Sequence, residues 1–164
     1  MKRTLVALVE NEPGVLNRVV SLFRRRNYNI DSLTVGRTDN PAISRMTIVM
    51  DSAVTNTAQV EGNLYKLINV IKVMDVSDQP LLSRDLALIK IRVADGVSAI
   101  CYKHGARIID VTGDKIIVEM SDTEEDVEAF ITALDPYEVI EVVRTGVVSM
   151  GRGEYILATD FAAV

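Results

Sequence analysis

A chain of 164 residues that is 48% hydrophobic, with no Trp, can bury an aliphatic core in one large or two small domains. Its net charge of −5 excludes a general nucleic-acid binder, which needs a basic face to release counterions. A single Cys excludes an internal disulfide framework, no apolar run reaches the ~18 residues of a membrane span, and Met1-Lys2-Arg3-Thr4 enters a strand pattern without a signal-peptide core. The expectation is a cytoplasmic protein with no membrane and no nucleic-acid partner.

Residues 3–9 carry a continuous apolar run, Leu5-Val6-Ala7-Leu8-Val9, and read as a buried central strand. The turn Asn11-Glu12-Pro13-Gly14 follows, with Pro13 suited to a first helical turn and Asn11 able either to cap the helix or to face a ligand. Residues 13–26 read as a helix whose Val15, Leu16, Val19, Val20, Leu22 and Phe23 form one wide apolar stripe. Arg24-Arg25-Arg26 suits the negative end of that helix, a basic binding patch being the sharper reading, and Asn27 reads as its stop. Tyr28 to Gly36 reads as a strand with one wet side at a sheet edge. Thr38-Asp39-Asn40-Pro41 is a turn, Ser44 to Asp51 a strand with Met46, Ile48 and Met50 on one face, Ala58 to Asn69 a helix, and Val70 to Val76 a strand.

After the polar stretch Ser77-Asp78-Gln79-Pro80 the same order repeats. Asp85 to Val93 reads as a strand and Gly96 to His104 as a helix stopped by Gly105. Ala106 to Thr112 and Lys115 to Met120 read as a hairpin, and Ser121 with Glu124 as a capping box opening a helix. Val139 to Val148 reads as one long strand, and Tyr155-Ile156-Leu157 as a short apolar patch in the tail. The chain is thus an α+β protein of two ferredoxin-like βαββαβ domains in tandem, at 1–77 and 85–164, joined by a linker at 78–84. Two helices cover one face of each sheet, and the other face and the edge strands call for a homodimer or a larger partner.

Catalytic motifs are missing. Cys101 and His104 lie three apart on one helical face but are two ligands short of a closed zinc site. Gly151-Arg152-Gly153-Glu154 lacks the third glycine and the context of a dinucleotide loop, and the acidic run from Asp122 to Glu128 reads as a solvated helix start. The opening turn is left. Asn11, the bare amide of Gly14 and a second amide, Asn29, are side-chain types suited to a zwitterion, with Leu16, Leu33 and Val35 available around an aliphatic side chain.

The stretches Val9-Glu10-Asn11-Glu12-Pro13-Gly14-Val15-Leu16 and Arg26-Asn27-Tyr28-Asn29-Ile30-Asp31-Ser32-Leu33-Thr34-Val35 resemble an ACT domain, a small-molecule sensing module. With Ser44–Val49, Lys66–Val73, Arg84–Lys90, Ile108–Val111 and Arg144–Ser149, the chain from about residue 3 to 153 is similar to the small, regulatory subunits of acetohydroxyacid synthase, also called acetolactate synthase. The resemblance implies a chain without an active site or cofactor of its own. Thiamine diphosphate, Mg²⁺ and FAD would belong to a large catalytic subunit that the chain activates and places under feedback inhibition by valine. It implies a homodimer in which two ACT domains share the effector site, Asn11 and Gly14 of one chain facing Asn29 of the other, with Val15, Leu16, Thr34 and Val35 around the ligand. Gly36-Arg37 stands where some relatives carry an aliphatic residue and proline. A free-standing ACT-type amino-acid sensor acting on another enzyme or a transcription factor is the alternative expectation.

Overall fold

The structure, a computed structural model, describes residues 2–51 and 56–155. Contacts divide the chain into two units: residues up to Leu82 together with the segment from Ser149, and Ser83–Val148.

In the first unit, β1 (Lys2–Glu10) leads through a turn into α1 (Val15–Arg25), followed by β2 (Ser32–Arg37), β3 (Ile43–Asp51), α2 (Thr57–Leu64) and β4 (Val70–Asp75). The strands form one antiparallel sheet in the order β2-β3-β1-β4. The apolar run of β1 is continuous because both its faces are buried. Leu5, Ala7 and Val9 join Met46, Ile48 and Met50 of β3 under Val15, Val19 and Phe23 of α1 and Val60 and Leu64 of α2. Val6 points to the other face, where it packs with Val76, Met74, Leu81 and Tyr155. The chain therefore covers part of that second face itself, where a partner had been expected.

The end of α1 follows its sequence closely. Asn27 takes a left-handed conformation (φ 55°), with Asn27 N–H donating to Arg24 O and Tyr28 N–H to Phe23 O. This is the double bond pattern of a Schellman stop, and the Phe23 and Tyr28 rings meet edge to face at 5.8 Å beneath it. Tyr28 to Asp31 is loop, so the strand expected from residue 28 begins only at Ser32.

The second unit contains most of β5 (Leu81–Arg92), then α3 (Val97–His104), β6 (Arg107–Thr112), β7 (Lys115–Asp122), α4 (Glu124–Ala133) and β8 (Val139–Arg144). Its antiparallel path is β6-β7-β5-β8, and β9 (Val148–Gly151) also pairs with β5. Ala87, Ile89 and Ile91 alternate toward a core shared with Val97, Cys101, Val127 and Phe130. Gly105 stops α3 in the left-handed conformation, as its sequence implies. The cap of α4 is Thr123, which accepts from Asp126 N–H; Ser121 cannot serve, because β7 runs on to Asp122 and Ser121 still pairs with Leu86.

Three further boundaries differ from those expected. β5 starts at Leu81, inside the stretch read as a linker. The strand read as Val139–Val148 is broken after Arg144, where Gly146 turns with φ 79°. The segment from Ser149 returns to the first unit rather than completing the second: Arg152 N–H donates to Pro80 O, and the Arg45 guanidinium donates to Ser149 O. Of the apolar tail patch, Ile156 and Leu157 lie outside the described residues.

Two ion-pair networks tie strand ends together. Asp85, 1% exposed, accepts from Arg144 Nε at 2.8 Å and from Thr145 Oγ1, and Arg144 also meets Glu128 of α4. Replacing Arg144 with Met should cost about 2–4 kcal/mol in urea unfolding, more than Asp85→Asn, because it strands a buried carboxylate. At the other sheet, Asp75 accepts from Ser77 Oγ at 2.6 Å and from the Arg3 guanidinium at 2.8 Å. Partial burial works to raise the Asp75 pKa, but the bonds from Ser77 and Arg3 outweigh it and hold the carboxyl below its ordinary range. A depressed acid stabilises the fold above its unfolded-state pKa and loses that contribution as pH falls through the folded-state value. The stability gap between the native chain and Asp75→Asn should accordingly shrink on acidification. A gap independent of pH would contradict the assignment.

Candidate functional site

β1 ends at Glu10 and α1 begins at Val15, so the intervening turn decides what the helix start presents. Gly14 is the N-cap, with φ 87°, a conformation that costs other residues roughly 1–2 kcal/mol. A Cβ there would meet nothing within 4 Å, so the position opens onto free space. Pro13 stays in the turn, one residue before the N-cap Gly14, rather than within the helix. No side chain caps α1 and no acidic residue lies in its first turn. Val15 N–H donates to Glu12 O at 3.3 Å, so the next amides of that turn, those of Leu16 and Asn17, and the positive end of the helix are what an external anion would meet.

Asn11 does not cap the helix. Its Nδ2 donates to Pro41 O at 2.8 Å, its Oδ1 accepts from Ser44 Oγ at 3.1 Å, and its backbone N–H donates to Ala42 O. It staples the end of β1 to the β2–β3 connection and so sets where Gly14 stands.

Beside the uncapped turn runs an apolar seam. The stripe on α1 is wider than the sheet beneath it: Val15, Val19 and Phe23 are buried, while Leu16 and Val20 remain 43% and 41% exposed one turn apart. α2 lies against β4 and β1, while Val15, Val19 and Phe23 of α1 pack in one core with Met46, Ile48 and Met50 of β3. On β2, Leu33 and Val35 pair with Ile48 and Met46 and so share the helix-covered face; Val35 is 40% exposed.

Of the residues named from sequence, Gly14 and Leu16 come together at the helix start, Asn11 braces it, and Val35 lies on the helix-side face of the adjoining edge strand. Two do not fit as expected. Val15 is packed in the core, and its backbone N–H already donates to Glu12 O at 3.3 Å. Thr34 pairs with Thr47 on the opposite face of the sheet, because alternate residues of a strand point to opposite sides. Asn29 is exposed in the loop before β2, where its Nδ2 donates to Asp31 Oδ1 at 3.0 Å. The register places it far from Gly14. Ser32 pairs with Val49, and Val49 with Thr4 near the start of β1; Arg37 pairs with Ser44, and Ser44 with Val9 near its end. Asn29 and Gly14 thus lie beyond opposite ends of one sheet.

Val20 reads from sequence only as part of the apolar stripe of α1, and the excess width of that stripe marks it as exposed beside the site. Arg37 ends β2 opposite Ser44, the residue that holds Asn11, and so brings a cation to the same end of the sheet as Gly14.

The second unit repeats the turn with a different outcome. Gly96 is the uncapped N-cap of α3 with φ 91°, but a Cβ there would lie 2.7 Å from the Tyr137 hydroxyl. Tyr137 covers the approach that Gly14 leaves open. Cys101 is buried, with its thiol pKa pushed up by that burial, and the His104 ring lies tilted against that of Phe130, centroids 5.5 Å apart. Among the described residues no three His, Cys, Asp or Glu side chains gather as a metal site.

Comparison with known proteins accords with both halves of this picture. The AHAS small subunit-like ACT domain family matches residues 5–72, and the family described as the small subunit of acetolactate synthase matches residues 84–153. The acetolactate synthase small subunit of Mycobacterium leprae is 46% identical over 154 residues, covering 92% of this chain and 91% of that protein. The Haemophilus influenzae small subunit is 40% identical over 159 residues, covering 94% and 98%. The crystal structure of the Thermotoga maritima small subunit superposes with a TM-score of 0.86 at 35% identity, covering 94% of this chain and 99% of that one. The chain belongs to the acetolactate synthase small-subunit family, with an ACT domain as its first half.

Proposed function

We infer that this regulatory subunit activates a large, catalytic acetolactate synthase subunit and makes it sensitive to valine, and that valine binds where two copies of its ACT domain meet. One observation carries the reading of the site: Gly14 and Asn29 lie beyond opposite ends of the same sheet. Two β2 edge strands related by a two-fold axis run antiparallel, so the start of one lies beside the end of the other. β2 has six residues, roughly 17 Å of strand. Pairing two such edges brings Asn29 of the partner subunit to the Gly14 end and closes the exposed seam of Leu16, Val20 and Val35.

The chemistry then divides simply. The amides of Leu16 and Asn17, next after the bonded Val15 N–H, take the effector carboxylate, which the helix dipole favours by about 0.3–1 kcal/mol beyond the hydrogen bonds. The seam takes the isopropyl group, whose burial contributes about 1.5–3 kcal/mol. Asn11 holds the turn in place, and the Asn29 amide oxygen accepts from the ammonium. Thiamine diphosphate, Mg²⁺ and FAD belong, in this reading, to the catalytic subunit. Valine acts there through differential affinity for two dimer geometries, a coupling typically worth about 1–3 kcal/mol.

Reconstitution gives the direct test. Catalytic subunit alone should be weakly active, addition of this chain should raise its rate, and valine should then lower it; a rate unaltered by the chain would refute the pairing. Gly14→Asp puts a carboxylate where that of valine sits and should abolish inhibition while activation survives. Gly14→Asn carries the same left-handed backbone cost without the charge, so it should retain part of the inhibition. Equal loss in both variants would assign the effect to strain instead. Leucine and isoleucine should inhibit more weakly than valine, since one methylene in an apolar pocket discriminates by about 1–3 kcal/mol.

A further inference from the structure

We propose that the cleft between α1 and α2 binds a small polyphosphate anion, at a site separate from the effector turn. The cleft has a volume of about 400 Å³, within the range of small-ligand pockets. Arg18, Arg25, Arg26 and Lys66 line it together with Ser21 and Asn63, and no carboxylate does.

The placement of these cations is specific. On α1, Arg18, Ser21 and Arg25 recur at helical spacing along one flank, and Arg18 and Arg25 are two turns, roughly 10 Å, apart. Leu16 and Val20 occupy the opposite flank of the buried stripe, so ligands on the two flanks need not compete. Asn63, only 8% exposed, donates through Nδ2 to the Tyr28 hydroxyl at 3.1 Å, and its Oδ1 accepts from Lys66 Nζ at 3.1 Å. A buried amide thus fixes the lysine head at the cleft.

The cleft cations also lack carboxylate partners among the described residues. Elsewhere Arg3, Arg92, Arg107 and Arg144 each meet a carboxylate. Arg25 and Arg26 have no ion-pair partner among the described residues, and Arg18 donates to the neutral Asn69 Oδ1. The nearest acid along that path, Glu10, accepts from the other end of the Asn69 amide. The negative ends of α1 and α2 account in part for Arg24, Arg25 and Arg26 and for Lys66, which follows the C-cap Tyr65, but not for Arg18 in the first half of α1. Four cations gathered without an acid repel one another in a chain of net charge −5, and a bound anion relieves that repulsion.

The lining selects the ligand class. With four cations and no carboxylate in its lining, the cleft repels a ligand ammonium, which disfavours a zwitterionic amino acid. Guanidinium groups bind phosphate oxygens in a bidentate fork, and their two-turn spread fits more than one phosphate group.

Titration of the full-length chain with sodium tripolyphosphate by isothermal calorimetry tests the site at fixed moderate salt. One saturable site per chain is expected. The double variant Arg25→Gln/Lys66→Gln should bind at least about tenfold more weakly, while Arg24→Gln, on the same helix but outside the cleft, should stay within about twofold. Gly14→Asp should also stay within about twofold, which separates this site from the effector reading. Matched thermal melts establish that the variants are folded. Absence of saturable binding below about 1 mM, or an equal loss in Arg24→Gln, would overturn the proposal.

Discussion

The register of three strands constrains everything that the first domain can do. β1 pairs with β3 over nine residues, and β3 with β2 over six, without a slip in either ladder. That pairing fixes the Gly14 turn beyond one end of the sheet and the Asn29 loop beyond the other. A slip of one residue would turn Leu33 and Val35 away from α1 and Thr34 toward it, undoing both the core and the seam. A site that needs the helix start, the apolar seam and the second amide together is therefore not available within one chain.

The two domains differ at the corresponding turn. Both units make the same left-handed glycine turn before an uncapped helix, at Gly14 and at Gly96. Only the first leaves it open; the second brings the Tyr137 hydroxyl over it. Duplication supplied two similar turns, and one aromatic side chain sets their accessibility apart. The returning segment from Ser149 binds the first sheet through the donation of Arg45 to Ser149 O and the packing of Tyr155 near Val6. Burial lowers the pKa of the Arg45 guanidinium, which has exchanged water for a backbone carbonyl.

Much of this was legible in the residues, and the failures have physical causes. Asn27 and Gly105 announced their helix stops because few other residues tolerate the left-handed conformation. The continuous run in β1 announced a strand buried on both faces. Ser121 misled because a capping pattern says nothing about whether a preceding strand has ended, and Thr123 competes two residues later. Val15, Leu16 and Val20 lie in one apolar stripe, and composition alone cannot say which part a sheet of four strands will cover. Thr34 and Val35 were equally near in sequence, yet the pleat sends them to opposite faces. The basic cleft was half visible in Arg24-Arg25-Arg26, but Arg18 and Lys66 join it only through the packing of α1 beside α2.

If each effector site is built from two chains, variants that damage opposite halves of it should complement one another. In a homodimer of Gly14→Asp chains, or of Asn29→Ala chains, both sites are damaged. In a mixed dimer one site carries both lesions and the other carries neither. Random mixing makes half the dimers mixed, so valine binding measured by calorimetry should return to about a quarter of the native site count at native affinity. A mixture that binds no more valine than the separate variants would contradict the account.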